Sequence, residues 1–265
     1  MPVQDDAREQ HMVALFNLTV PPDRSRGDTD AQLDPGDGTT LSFELKSTSG
    51  KSVATVRDFG PDHIAKWRHM HWLFAFYDKD GIKPEYCVYA SPSDMRPWIA
   101  DKERYVRPDL VLAARAPALL SDADLTEVLS DAGSFSADEA RSVMKNQWSA
   151  EQYRTNADLA AGRYSRTRML EVLRERCGYV VRRGSTLNNP HISGKYFKDF
   201  ERIKSDHASA LRRLVRVYLE QAAASRAAGD GPPEGEVDPL ILAQAGAAAA
   251  DPPAGPDTGE GPALS

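Results

Sequence analysis

Between Thr29 and Ala90 the apolar positions either alternate with polar ones or run on without a break, and both patterns predict strands. Thr29 to Leu33 reads as a short strand, Asp34-Pro35-Gly36-Asp37-Gly38 as a tight turn, and Thr40 to Lys46 as the returning strand. Leu41, Phe43 and Leu45 then share one face of this hairpin. After a polar loop, Pro61-Asp62 marks a helix start, and Ile64, Trp67 and His71 are predicted to share a face of the short helix that follows. Trp72 to Tyr77 is apolar throughout, as in a strand covered on both faces, and Glu85 to Ala90 is its predicted neighbour. His11 to Val20 is apolar enough for helix or strand, and its period does not choose between them.

From Ser93 onward the period becomes helical. The predicted helices cover Ser93 to Glu103, Asp122 to Leu129, Ala137 to Met144, Ala150 to Ala160, Arg166 to Arg176, and Asp206 to Ala224. Ser136 with Glu139, and Ser149 with Gln152, have capping-box spacing. Strands early and helices late predict an α/β (α+β) domain over residues 1–226, with residues 104–186 as a mostly helical insertion. Residues 227–265 are chiefly Ala, Gly, Pro, Asp and Glu, a composition expected to stay disordered because it buries too little apolar surface to offset the entropy of ordering.

Charge modifies this picture. The formal charge of -6 would argue against a nucleic-acid partner if evenly spread, but residues 227–265 hold seven acidic residues and no basic one. The rest of the chain has 33 basic and 32 acidic residues, and residues 161–218 carry fourteen Lys and Arg against five Asp and Glu, a surplus able to face phosphate. The two cysteines, Cys87 and Cys177, lie far apart without metal-ligand spacing, so reduced thiols are expected, with neither disulfide nor zinc. No run reaches the roughly 18 apolar residues of a membrane span. The first residues, MPVQDDAREQ, lack a basic region leading into an apolar core, so a cytoplasmic location and no membrane partner are expected.

The candidate chemistry sits on the hairpin. Glu44 and Lys46 are two residues apart on one strand, so their side chains leave the same face while Phe43 and Leu45 point to the other. Asp30, on the partner strand, can bring its carboxylate alongside Glu44. Phosphodiester hydrolysis needs carboxylates to hold a hard cation and a positive group to position water, and Mg2+ takes one or two protein carboxylates. Glu-x-Lys alone is expected about once by chance in a chain of this length, so its weight comes from the surrounding elements. His69 and His71 are expected to pack rather than to ligate a metal.

The hairpin resembles the PD-(D/E)xK nuclease motif. The blocks LTV and DTDAQ, FELKS, HIAKWRHMHWLFAFYD and LNNPHISGKYF resemble, in this order, those of the PvuII-like type II restriction endonucleases within that superfamily. The resemblance implies a nuclease core with a central mixed β-sheet flanked by helices. It also implies a homodimer on double-stranded DNA, Mg2+-dependent cleavage at a short palindrome, and a cognate DNA methyltransferase in the same system. Glu44 and Lys46 match the family's catalytic Glu and Lys. Its metal-binding Asp matches Asp30 in the Asp-Ala pair or, at a shorter spacing, Asp34; Asp30 is preferred because it lies on the strand. Asp30, Glu44 and the Leu45 carbonyl are then the expected metal ligands, for one metal or two.

The Asn188-Asn189-Pro190 segment matches a family loop that contacts base edges, a task suited to an amide that pairs with adenine. Arg57 and Asp58 stand where the family has base-reading histidines, so DNA reading is expected of them with a changed target sequence. Arg182 and Arg183 are expected on phosphate. Two other readings stay open at this level: a structure-selective repair or recombination nuclease of the same superfamily, and a DNA-binding module without catalysis.

Overall fold

The computed structural model describes residues 2–22, 24, 28–228 and 238–245. The chain begins α1 (Pro2–Phe16), β1 (Ala31–Leu33), β2 (Leu41–Thr48), β3 (Ser52–Ala54), α2 (Pro61–Trp67), β4 (His71–Tyr77), β5 (Pro84–Ala90) and α3 (Pro92–Leu119). It continues with α4 (Asp122–Val128), β6 (Ser134–Phe135), α5 (Ala137–Met144), α6 (Ala150–Asn156), β7 (Tyr164–Ser165) and α7 (Arg166–Gly184). Then come β8 (His191–Ser193), α8 (His207–Ala227) and α9 (Pro239–Gln244). Two compact units result, one of residues 1–106 with 187–239 and one of residues 107–186 with 240 onward.

The first unit is a mixed α/β structure built on a four-stranded sheet in the order β1-β2-β4-β5. β1 and β2 form the antiparallel hairpin, α2 carries the chain over to β4 parallel to β2, and β5 returns antiparallel to β4. Every residue of β4 is buried, which is why His71 to Tyr77 shows no alternation: helices cover the sheet on both sides. On one face Phe43 and Leu45 pack with Leu73, Ala75, Cys87 and Tyr89 against Met12 and Phe16 of α1 and Leu211 and Val215 of α8. On the other face Trp72 meets Trp67 of α2 edge-on at 4.7 Å and stacks on Phe74, while Phe59 meets Trp98 of α3 edge-on.

Several boundaries depart from the sequence reading. The apolar stretch His11 to Val20 is helix as far as Phe16, after which Thr19 bridges Gln32 as extended chain. His71 is not on the α2 face but opens β4, because α2 ends at Trp67 and its C-cap Arg68 turns the chain. α3 runs 28 residues instead of stopping at Glu103, since Val106, Leu110 and Ala113 continue a buried stripe at helical spacing. α7 likewise runs on to Gly184, while α6 stops at Asn156. β3, in the segment read as a polar loop, forms an antiparallel ribbon with β8.

The second unit is helical, with a core of Leu125, Phe135, Ala140, Met144, Tyr153, Tyr164 and Met169. Both expected capping boxes form: Ser136 accepts from the Glu139 N–H and Ser149 from the Gln152 N–H, and each N3 side chain accepts in return. The tail expected to be disordered over 227–265 contains α9, where Ile241 is fully buried and Gln244 Nε2 donates to the Leu110 carbonyl at 2.7 Å. The apolar triplet Leu240-Ile241-Leu242 is what the bulk composition of that segment conceals. Residues 229–237 and 246–265 lie outside the described residues. Cys87 and Cys177 are both free thiols. No described helix is long and apolar enough to cross a membrane.

His71 sets a pH dependence of stability. Burial pushes its imidazole down to about 4, with Nδ1 engaged by the Tyr89 hydroxyl at 2.7 Å. The unfolded chain takes up the proton near pH 6.5 and the folded one does not, so stability is full above about pH 6.5 and falls as pH drops toward 4. The shift corresponds to about 3 kcal/mol at the low end. Denaturant unfolding of His71→Asn from pH 7 to 4.5 should therefore show a flatter acid limb than the parent chain. Parallel curves for the two proteins would refute this assignment.

Candidate active site

The register of the hairpin places Ala31 opposite Phe43, so Asp30, at the entry of β1, comes opposite Glu44 with its side chain on the same face. Its backbone N–H donates to the Phe43 carbonyl, and its carboxylate then turns back along β2, where Oδ2 accepts the Leu45 N–H at 2.8 Å. Lys46 closes the group: Nζ lies 2.6 Å from Glu44 Oε1 and 3.7 Å from Asp30 Oδ2. The three residues expected to carry the chemistry thus meet at one point. Asp30 and Glu44 are 7% and 3% exposed, so their charges are compensated by neighbours rather than by water.

Three further side chains supply that compensation. Lys66 of α2 brings Nζ to 3.2 Å from Glu44 Oε2, and Trp67 donates its indole N–H to the same oxygen at 3.0 Å. Arg24 reaches Asp30 Oδ1 at 2.7 Å and also pairs with Glu9. Lys66 and Trp67 fall within the HIAKW block but carry no recognisable signal for this contact, since only the crossover of α2 brings them onto Glu44. Arg24 stands in an irregular segment with no pattern at all.

The electrostatics separate the two carboxylates. For Glu44, burial works against ionisation, but the ammonium groups of Lys46 and Lys66 outweigh it and hold the carboxyl below its usual range. Burial pushes Asp30 up to about 6, with the Glu44 charge adding to the effect and Lys46 and the Leu45 N–H opposing it. Burial also works against the Lys46 charge, yet Glu44 and Asp30 keep its pKa above the ordinary lysine value. The cluster thus holds a permanent anion, a cation, and a carboxyl that ionises near neutrality.

The donor set suits a hard cation. Two buried carboxylates already share one cation, the Lys46 ammonium, and oxygen donors of this kind are those Mg2+ prefers. Among the described residues no group of three or more His, Cys, Asp or Glu side chains is placed to hold a metal ion, so the protein side chains would offer a cation here two carboxylates. Leu45, whose carbonyl is an expected ligand, also donates its N–H to Asp30. Asp34 takes no part: it is exposed, and its Oδ1 accepts the Gly36 N–H at 2.7 Å to hold the hairpin turn. His71 is buried in the opposite core, whereas His69, expected to pack, is exposed.

The expected base readers come from two segments some 130 residues apart, and the fold lays these segments side by side. Beyond the β3-β8 ribbon, the Thr55 N–H and hydroxyl both donate to the Pro190 carbonyl, and Phe59 and Leu187 exchange two backbone hydrogen bonds of 2.9 Å. The intervening residues form a double loop whose tip carries Arg57, Asp58, Asn188 and Asn189. Arg57, Asn188 and Asn189 are exposed, and Asp58 is half-buried. Asp58 and Asn189 have left-handed backbone, with φ of 60° and 47°, a conformation these two residue types tolerate best after glycine. Arg182 and Arg183 lie instead in the last turn of α7, within the second unit. The chain matches no family model, and no curated protein matches it at a significant level.

Proposed function

We propose that this protein is a Mg2+-dependent endonuclease of the restriction type, a homodimer that hydrolyses double-stranded DNA at a short palindromic site. The observation that carries the reading is the Lys46 ammonium held between two buried carboxylates, Asp30 and Glu44, on a sheet whose other face is core. On this reading the hairpin, the α2 crossover and β4 are the PD-(D/E)xK nuclease core. Asp30 and Glu44 would hold Mg2+, which when bound supplies charge neutralisation for the phosphate and Lewis acidity. Lys46, beside both carboxylates, would orient the attacking water and donate to a phosphate oxygen as negative charge builds there. Lys66 and Trp67 fix the Glu44 carboxylate by hydrogen bonds to Oε2, so Oε1 keeps one direction, beside Lys46. Without a bound cation, burial holds the Asp30 carboxyl up at about 6, and a cation on it would favour its ionised form.

The double loop supports sequence reading over structure-selective repair, because its exposed tip presents a guanidinium and two amides, the groups that pair with base edges. A DNA methyltransferase encoded beside this chain would strengthen the restriction reading. Incubation with mixed plasmid DNA and Mg2+, followed by sequencing of the ends, should give discrete fragments from one palindrome. Failure to cut any duplex with Mg2+ or Mn2+ would overturn the proposal. Arg57→Ala should relax selection at one base pair, costing about 1 to 3 kcal/mol of discrimination, as read from cleavage of a single-substitution site library. An unchanged preference profile would remove Arg57 from recognition.

A further inference from the structure

On the sheet face opposite the carboxylates, the first unit contains a cavity of about 600 Å³ between the start of β4, the end of β5, the first turn of α3 and the C-terminal half of α8. This volume is that of a small-molecule site. Its buried end is aromatic and polar. His71 and Tyr89 are 3% and 7% exposed, their rings stack at 5.9 Å, and Tyr218 of α8 meets His71 edge-on at 5.3 Å. Tyr89 occupies His71 Nδ1, and among the described residues no hydrogen bond occupies Nε2, a group that donates or accepts according to its tautomer.

The charged lining is unequal in what it leaves available. The acidic groups are committed: Asp94 Oδ2 accepts from the Ser91 N–H and hydroxyl, and Glu201 pairs with Arg213. Arg96 and Arg226 also line the cavity, and among the described residues neither guanidinium has an ion-pair or hydrogen-bond partner. An uncommitted pair of forked cations beside an aromatic recess is suited to a ligand with a planar ring and one carboxylate or phosphate. We infer that this cavity is a binding site for a small planar aromatic anion, its ring beside His71, Tyr89 and Tyr218 and its charge on Arg96 and Arg226. The site is separate from the carboxylate cluster and does not depend on the nuclease reading.

Calorimetric titration of the full chain with adenosine 5′-monophosphate and with indole-3-acetate distinguishes a phosphate from a carboxylate source of the anion. At least one should bind with a Kd below about 1 mM, with adenosine and ribose 5-phosphate each at least about tenfold weaker. Arg96→Ala with Arg226→Ala should weaken that binding at least about tenfold, a loss of about 1.4 kcal/mol or more. Ala222→Trp, which places an indole into the cavity from α8, should abolish it. Lys46→Ala should leave it unchanged, which separates this site from phosphate binding at the carboxylate cluster. Absence of binding by both anions would overturn the inference. So would binding that survives the Arg96/Arg226 and Ala222 substitutions, or binding lost in Lys46→Ala.

Discussion

Replacing Lys46 with alanine is expected, on the proposed nuclease reading, to lower DNA cleavage on the order of 1,000-fold while leaving sequence-specific DNA binding intact, because the ammonium would act on charge that develops only during the reaction. The Arg57-Asp58 and Asn188-Asn189 loops lie on other segments of the chain, so on the proposed reading site selection and cutting should separate. Measured by single-turnover cleavage and by gel shift in Ca2+, the variant should bind its site within a fewfold of the parent. A Lys46→Ala protein that cuts at the parent rate would exclude Lys46 from the chemistry. The same substitution has a second signature. It leaves Asp30 and Glu44 facing each other with Arg24 and Lys66 as the compensating charges among the described residues, so the metal-free variant should unfold more easily than the parent. Added Mg2+ should restore more stability to Lys46→Ala than to the parent, since the cation replaces the missing ammonium. Equal Mg2+ stabilisation of both would argue that the carboxylates do not hold the ion.

Trp67→Ala should cost about 3 to 5 kcal/mol of folding stability, because the indole is fully buried among Phe59, Trp72 and Trp98 and its removal leaves a cavity that neighbouring rings cannot fill. Trp67→Phe isolates the other role of this side chain. It keeps most of the ring contacts but removes the indole N–H from Glu44 Oε2, a hydrogen bond to a charged acceptor worth about 2 kcal/mol. Below its unfolding temperature the Phe variant should cut more slowly than the parent, as Glu44 gains freedom to rotate. Urea unfolding and single-turnover rates on the same samples test both effects. A Phe variant with parental stability and rate would mean that the indole N–H neither stabilises nor positions Glu44.

These two residues show how unevenly the site could be read beforehand. Lys46 was accessible because strand alternation puts every second side chain on one face, so Phe43 and Leu45 directed to the core force Glu44 and Lys46 to the other. Asp30 was accessible because the glycine-rich turn at Gly36 and Gly38, both at positive φ, limits the hairpin register and thus what stands opposite Glu44. For Trp67 the helical period shows only that it lies on an apolar face. Its bond to Glu44 depends on where the crossover helix lands on the sheet, which no local pattern encodes. Arg24 and Lys66 were missed for the same reason, since a charged side chain in a loop or on a helix surface looks alike whether or not a carboxylate lies nearby.

Local chemistry by itself determined the hairpin, the buried strand over Trp72 to Tyr77, the helical character of the middle segment and the facing of Glu44 and Lys46. Each of these follows from side-chain period or turn stereochemistry within a few residues. Only the tertiary structure decided that Asp30 is buried with a raised pKa while Asp34 merely caps a turn, because desolvation depends on what packs over a residue. It alone zipped the Arg57-Asp58 loop to the Asn188-Asn189 loop through Thr55, Pro190, Phe59 and Leu187. It alone docked Ile241, from a segment whose composition predicts disorder, into a helix with a buried face. Pairings between distant segments are free-energy differences of the whole chain, and their partners leave no periodic trace in the sequence of either one.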